Sequence, residues 1–111
     1  TPGHSPGSAC FHIGNELITG DTLFIFGCGH CRLEGADVNQ LYNTLTKLKK
    51  AMPKDTIIHP GHHYAKKITS TMAEQIEGNP FLHFDRAESF AQYRLVDHDK
   101  TRTQPYLPVL D

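Results

Sequence analysis

The sequence predicts an α/β fold in which one small sheet carries helices on one face. Three observations predict it. Apolar residues between positions 38 and 52 recur at steps of 3, 4, 3 and 4, which places them on one side of a helix. Short apolar runs bounded by glycine or proline precede and follow that helix, as is typical of strands. The order strand, strand, helix, strand, helix, helix is an α/β layer pattern with too few strands to close its own sheet.

The strand candidates are short. Ser8–Ile13 alternates weakly and, after a Gly-Asn turn, Glu16–Thr19 is predicted to be its return strand. Thr22–Phe26 is a brief apolar run, and Gly27–Gly35 is predicted to be a loop because three of its nine residues are glycine. Thr56–Ile58 is predicted to be a short buried strand.

The clearest helix begins after Asp37, whose carboxylate can cap it, and stops at Pro53. Its apolar face consists of Val38, Leu41, Leu45, Leu48 and Met52. Lysines crowd its last turns, where cations suit the helix dipole.

Two further helices are predicted. One has an apolar residue every four positions, and these are Tyr64, Ile68, Met72 and Ile76, with an end near Gly78. The other opens at Asp85, which with Glu88 resembles a capping box, and runs to about Arg94. Thr101–Asp111 contains two prolines and is predicted to be extended.

Composition bounds the function classes. The chain of 111 residues is long enough for one small domain, and its net charge of -1 gives no sign of a nucleic-acid surface. No apolar run approaches the roughly 18 residues of a membrane span. The three cysteines are an odd number, which argues against a disulfide scaffold and favours free thiols in a cytoplasmic protein. Because the chain does not begin with Met, we expect it to be a piece of a longer protein.

Three segments carry candidate metal ligands. Each places a histidine or aspartate beside glycine: His4 within TPGHSPGS, Asp21 within TGDTLF, and His62 within HPGHHY. Imidazole nitrogen and carboxylate oxygen bind zinc, iron or manganese at ordinary pH. We therefore expect His4, Asp21 and His62 to converge on one metal site.

The order of these segments, together with Gly27-Cys28-Gly29, resembles the second half of the metallo-β-lactamase fold, an αβ/βα sandwich. The most similar branch is that of the glyoxalase II-like thioester hydrolases, and the match runs from Thr1 to about Leu82. The segment from Gly27 to Gly35 also resembles a loop of polyketide-cluster hydrolases that act on acyl groups tethered to carrier proteins. The resemblance implies that residues 1–111 are the C-terminal portion of one such domain.

The resemblance also implies roles. His4 would belong to a first metal site, Asp21 would bridge two metals and be the catalytic residue, and His62, rather than His63, would belong to a second site. The cofactor would be one or two zinc ions, with iron or manganese as alternatives. Water activated between the cations would hydrolyse a thioester whose carrier is glutathione, coenzyme A or a carrier protein.

Substrate contacts are implied for His30, Arg32 and Tyr64. The family usually has Arg or Lys directly after the position of Gly29, whereas this chain has His30 there and Arg32 two positions on. Because arginine is permanently charged, we expect Arg32, not His30, to supply most anion recognition. Tyr64 is either a substrate contact or the first apolar residue of its helix.

One departure limits these expectations. The family takes further ligands from a His-x-His-x-Asp-His segment, which this chain does not contain. We therefore expect the chain alone to be inactive and to self-associate or pair with the missing N-terminal half. Two rival interpretations remain: a non-catalytic binding module, and a thiol-disulfide oxidoreductase that uses Cys28-Gly29-His30-Cys31.

Overall fold

The computed structural model describes residues 1–110 and has mixed α/β architecture, as the sequence predicts. The strands are β1 (Phe11–Ile13), β2 (Glu16–Gly20), β3 (Leu23–Phe24), β4 (Gly27–Cys28), β5 (Ile57–Pro60) and β6 (Ser70–Thr71). The helices are α1 (Val38–Ala51), α2 (Met72–Gly78), α3 (Ala87–Gln92) and α4 (His98–Thr101), with a 3₁₀ turn at Pro80–Leu82 and a π-helical segment at Tyr93–Asp97. None of the helices in residues 1–110 is both long and apolar enough to cross a membrane.

Four strands form the main sheet in the order β1-β2-β5-β6. The central pair, β2 and β5, is parallel, and the outer pairs are antiparallel. A parallel pair needs a crossover connection, and here the crossover contains α1. Strands β3 and β4 form a separate two-stranded ribbon, so the start of the predicted loop at Gly27 is in fact a strand.

Helix α1 follows the sequence prediction closely. Asp37 accepts hydrogen bonds from the first free backbone N–H groups, which satisfies donors that the helix itself cannot pair. Leu41, Leu45 and Leu48 are buried in the same core cluster as Leu17 of β2 and Ile58 of β5. The apolar periodicity therefore gave the correct helix and the correct core face.

The prediction of a helix from Tyr64 is wrong in its first half. Helix α2 begins only at Met72, where Thr71 and Glu74 form a capping box. Tyr64 and Ile68 are exposed. A spacing of four residues also occurs by chance in an irregular segment, and here the cap of Thr71 fixes the true start.

The predicted capping box at Asp85 is also absent. Helix α3 starts at Ala87 after Arg86, whose side chain makes no capping hydrogen bond. The helical path continues past Arg94 through the π-helical segment into α4. Burial of Phe90 against Phe81 holds this helical path onto the core in place of a cap.

Candidate metal centre

His4 is held by the packing of the chain's first turn on α1. Gly3 has φ +139° and lies so close to α1 that a Cβ there would be 2.4 Å from the Cα of Leu41. His4 is buried, and its Nδ1 lies 2.7 Å from the carbonyl oxygen of His30. A carbonyl only accepts, so Nδ1 is the donor, and in the neutral ring Nε2 keeps its lone pair. This arrangement prepares Nε2 as a metal ligand.

Asp21 follows β2 at a bend. Gly20 adopts φ +51°, and the β2–β5 register shifts between Ile18 and Gly20. After the bend, Oδ2 of the Asp21 carboxylate lies 3.8 Å from Nε2 of His4. Asp21 is therefore placed by the end of a strand that lies in the middle of the sheet.

His62 reaches the same carboxylate from the end of β5. The N–H of Gly61 donates to the carbonyl of Gly20 at 2.7 Å, which ties the two strand ends together. Nδ1 of His62 lies 2.7 Å from Oδ1 of Asp21 and donates to it. A Cβ on Gly61 would lie 2.9 Å from that same oxygen, so glycine permits the approach.

The three side chains come together, but not around one point. Each oxygen of Asp21 faces a different histidine: Oδ2 faces His4, and Oδ1 faces His62. Within residues 1–110, no group of three or more His, Cys, Asp or Glu side chains has the arrangement of a metal site. His4 with one oxygen of Asp21, and His62 with the other, form two half-sites. A carboxylate with a histidine beside each of its two oxygens is suited to bridge two cations.

A cavity of about 740 Å³ opens over these residues. His30, Arg32 and Tyr64, the three residues expected to contact substrate, all line it. Burial lowers the pKa of His30, and nearby His4, Arg32 and Arg94 lower it further. His30 is therefore the weaker of the two candidate cations in the 27–35 loop.

Arg32 is not free. Its guanidinium donates to the carboxylate of Asp99, which also accepts from Arg94 at 3.4 Å. Burial alone would raise the pKa of Asp99, but Arg32 and then Arg94 bring it below its usual value. No local pattern predicts this cluster, because Arg32 and Asp99 lie 67 positions apart in the sequence.

Arg94 is the most deeply buried cation of the cluster. Only 4% of its surface is exposed, its guanidinium lies 4.6 Å from the ring centroid of Phe81, and Nη1 donates to the carbonyl of Cys28 at 3.0 Å. It thereby fixes β4 against the helical segments. Sequence reasoning treated Arg94 only as a helix end.

The Cys28–Cys31 pair lacks the environment of a redox motif. Cys28 lies in β4 rather than at a helix N-terminus. Burial raises its pKa to about 12, even though Arg94 opposes the shift. Burial also raises the pKa of Cys31. Because the thiolate is the reactive form, these shifts disfavour thiol-disulfide chemistry.

Comparison with known proteins finds relatives among metal-dependent hydrolases. No family model matches the chain. In an alignment of 127 positions, the chain is 35% identical to the hydroxyacylglutathione hydrolase of Pelagibacter ubique, and the alignment covers 84% of this chain and 52% of that protein. It is 30% identical over 94 residues to the probable polyketide biosynthesis zinc-dependent hydrolase BaeB of Bacillus velezensis, covering 85% of this chain and 42% of that protein.

Solved structures give the same result. ETHE1 from Myxococcus xanthus superposes with a TM-score of 0.81 at 28% identity, over 95% of this chain and 45% of that one. TTHA1623 in a di-iron-bound form superposes with a TM-score of 0.65 at 37% identity, over 73% of this chain and 39% of that one.

The fold and these similarities define a metallo-β-lactamase-fold protein. Within that superfamily, the chain belongs with the glyoxalase II-like proteins. It spans about half the length of the curated relatives it matches.

Proposed function

We propose that this chain supplies three ligands of a dinuclear metal centre in a thioester hydrolase. The observation that carries the proposal is the Asp21 carboxylate, which has His4 beyond one oxygen and His62 beyond the other. When bound, two cations would lower the pKa of a water molecule and polarise the substrate carbonyl. His4 and Asp21 would hold one ion, and Asp21 and His62 the other.

The chain's own residues prepare this site before any ligand binds. The carbonyl of His30 fixes the tautomer of His4, and Gly29 allows this loop to lie against it. The cavity above Asp21 is large enough for the acyl end of a substrate, and both cationic and aromatic side chains line it. The proposal needs no side-chain nucleophile, so the buried Cys28 has no role in the reaction.

Each half-site needs more metal ligands than residues 1–110 supply. A zinc ion usually has four ligands, and the described residues offer two to each half-site, one histidine and one oxygen of Asp21. We propose that a His-x-His-x-Asp-His segment completes both, with residues 1–111 as the C-terminal portion of the domain. The name of BaeB points to zinc and the di-iron neighbour to iron, and His and Asp donors suit either, or manganese.

Metal binding by the chain is the first test. Titration with Co²⁺, followed by visible absorption, should give saturable binding by the wild-type chain. His4→Ala and Asp21→Ala should each weaken it by more than about 10-fold, since removing even an outer-shell partner of a metal costs 10- to 100-fold. His12→Ala, on exposed β1, is the matched control and should bind as wild type does. Equal binding by all variants would contradict the proposed ligands.

The reaction is the second test. Thioesters of glutathione, coenzyme A and an acyl carrier protein should be hydrolysed by a protein that joins this chain to a His-x-His-x-Asp-His segment, and not by the chain alone. Asp21→Ala should abolish the activity, whereas Cys28→Ser with Cys31→Ser should retain most of it. The reverse pattern would favour the redox interpretation.

A second candidate function rests on the outer face of the sheet. Phe11 pairs with Ile18, and Ile13 lies two residues along β1, so all three share the face opposite α1. Their exposed fractions are 62%, 44% and 65%, respectively. Covering about 500 Å² of apolar surface would contribute on the order of 10 kcal/mol before entropy costs. We propose that this face mediates self-association or pairing with the N-terminal half.

Sedimentation velocity tests the association. The wild-type chain should form dimers or larger species as its concentration rises, and Ile13→Lys should shift it toward monomer. Ile68→Lys, at a position that is 64% exposed in the segment after His62, is the matched control and should leave association unchanged. A wild-type chain that stays monomeric at high concentration would contradict this proposal.

The free thiols further lead us to propose a cytoplasmic location.

A further inference from the structure

The segment 102–110 crosses the residues that follow His62. The backbone N–H of Tyr106 donates to the carbonyl of Tyr64 at 2.8 Å, and Tyr106 forms a parallel bridge with Ala65. Three residues later, the N–H of Val109 donates to the carbonyl of Gly78 at 2.7 Å. The segment is thus fixed by backbone hydrogen bonds at Tyr106 itself and three residues beyond it.

The ring of Tyr106 has a defined seat. It lies over Gly27, where a Cβ would be 2.6 Å from its Cε2 atom. It also packs on Tyr64, with ring centroids 5.4 Å apart. Tyr64 in turn stacks on His62 at 5.4 Å, with 14° between the ring planes. Tyr106, Tyr64 and His62 form one aromatic row that ends at the Asp21 carboxylate.

This row matters because burial does not hold His62. Its side chain is 52% exposed, and the Tyr64 residue is 45% exposed. Residues 61–69 form no helix and, apart from the bridge at Ala65, no strand. A half-exposed imidazole keeps one orientation only if specific contacts select it, and aromatic pairs contribute about 0.5–1.5 kcal/mol each.

We propose that Tyr106 is a positioning residue for His62. It acts through Tyr64: its N–H fixes the Tyr64 backbone, and its ring limits where the Tyr64 ring can lie. Tyr64 then holds the imidazole of His62 parallel to itself and directed at Asp21. The consequence for metal affinity rests on the proposed function, but the positioning of His62 does not.

The imidazole signals of His62 test the positioning. In a chain labelled with ¹³C and ¹⁵N at histidine, removing Tyr64 removes a stacked ring and should move the ring resonances of His62. Tyr106→Ala should move these resonances in the same direction. Tyr106→Phe, which keeps the ring, should leave them at their wild-type positions. Leu107→Ala, the exposed neighbour in the same segment, is the control and should leave them in place.

A double-mutant cycle separates action through Tyr64 from general loosening. If Tyr106 acts through Tyr64, Tyr106→Ala should have no further effect on the His62 resonances in a Tyr64→Ala background. An equal displacement in both backgrounds, or unmoved His62 resonances in Tyr106→Ala, would overturn the proposal. If Tyr106→Ala fails to fold, Tyr106→Leu fills the seat over Gly27 without an aromatic face and should still move the resonances.

Metal binding gives the second readout. Tyr106→Ala should weaken Co²⁺ binding by about 10-fold, the lower range for loss of an outer-shell contact, with Tyr106→Phe close to wild type. If the wild-type chain binds no Co²⁺ at His4, Asp21 and His62, the proposed function fails, and the imidazole resonances alone still decide the role of Tyr106.

Discussion

A hydrogen bond of 2.7 Å joins Nδ1 of His62 to Oδ1 of Asp21, across 41 positions of the sequence. The two residues follow β2 and β5, and Gly20 pairs with Pro60 at the ends of those strands. Because the strands are parallel, the segments that follow β2 and β5 leave the sheet at the same end of the strands. This parallel pairing brings together a carboxylate and an imidazole that the sequence keeps far apart.

His62 and His63 should differ sharply in metal binding. His62→Ala removes the only one of these two imidazoles that is hydrogen-bonded to Asp21, and we expect Co²⁺ affinity to fall by more than about 10-fold. His63→Ala changes the adjacent histidine of the same cavity, which we assign no role in holding the metal. We expect it to leave the affinity within about twofold, since even an outer-shell partner of the metal would cost about 10-fold or more. Isothermal titration with Zn²⁺ provides an independent check, and equal losses in both variants would contradict the assignment.

Gly29→Ala should destabilise the fold and disturb His4. A Cβ at this position would lie 2.0 Å from the carbonyl oxygen of Asp21 and 2.8 Å from Nδ1 of His4. Because the first contact is with backbone, we expect a loss of about 1–3 kcal/mol or more in the free energy of unfolding, measured in urea. Gly7→Ala meets no atom within 4 Å and is the matched control, expected to unfold as wild type does. Equal stability of the two variants would show that the loop moves freely.

His98 should make the chain sensitive to acid. Burial and then Arg94 lower its pKa to about 4, although Asp99 opposes the shift and Arg102 adds to it. The folded state therefore favours neutral His98. The stability that depends on this preference is fully present above the unfolded pKa of about 6.5. It is lost as the pH falls from there toward 4, by about 2 kcal/mol at pH 5.

Urea unfolding at several pH values measures this effect. His98→Gln should remove most of the loss between pH 7 and pH 5, since glutamine does not titrate. His83→Gln changes an exposed histidine and should keep the wild-type dependence. If His98→Gln retains the same slope, another group is responsible for the acid sensitivity.

Arg32 and Asp99 should have opposite effects on anionic substrates in the complete enzyme. Arg32→Ala should raise KM for an anionic thioester by about 10-fold, through loss of a charge-assisted hydrogen bond to the substrate. Asp99→Asn should lower KM, because it releases the Arg32 guanidinium from its present partner. His30→Ala, in the same loop, should have the smaller effect on KM, and a neutral thioester should respond to none of the three. A rise in KM for His30→Ala alone would show that the cation was assigned to the wrong residue.

The sequence by itself determined the local features of this protein. Asp37 and the apolar steps from Val38 to Met52 specified α1, because capping and periodicity depend only on neighbours in the chain. Glycine beside Asp21 and His62 marked two strand ends as places of close approach, and both glycines serve that purpose.

Only the tertiary structure decided how distant parts meet. It placed His4 and His62 on opposite oxygens of Asp21, paired Arg32 with Asp99, and laid Tyr106 over Gly27. It also showed that Tyr64 begins no helix and instead stacks on His62. Apart from the stack of Tyr64 on His62, these contacts join residues that are far apart in the sequence, and their energies come from burial, ion pairing and ring packing. Such terms depend on the whole folded chain, so no local pattern could have encoded them.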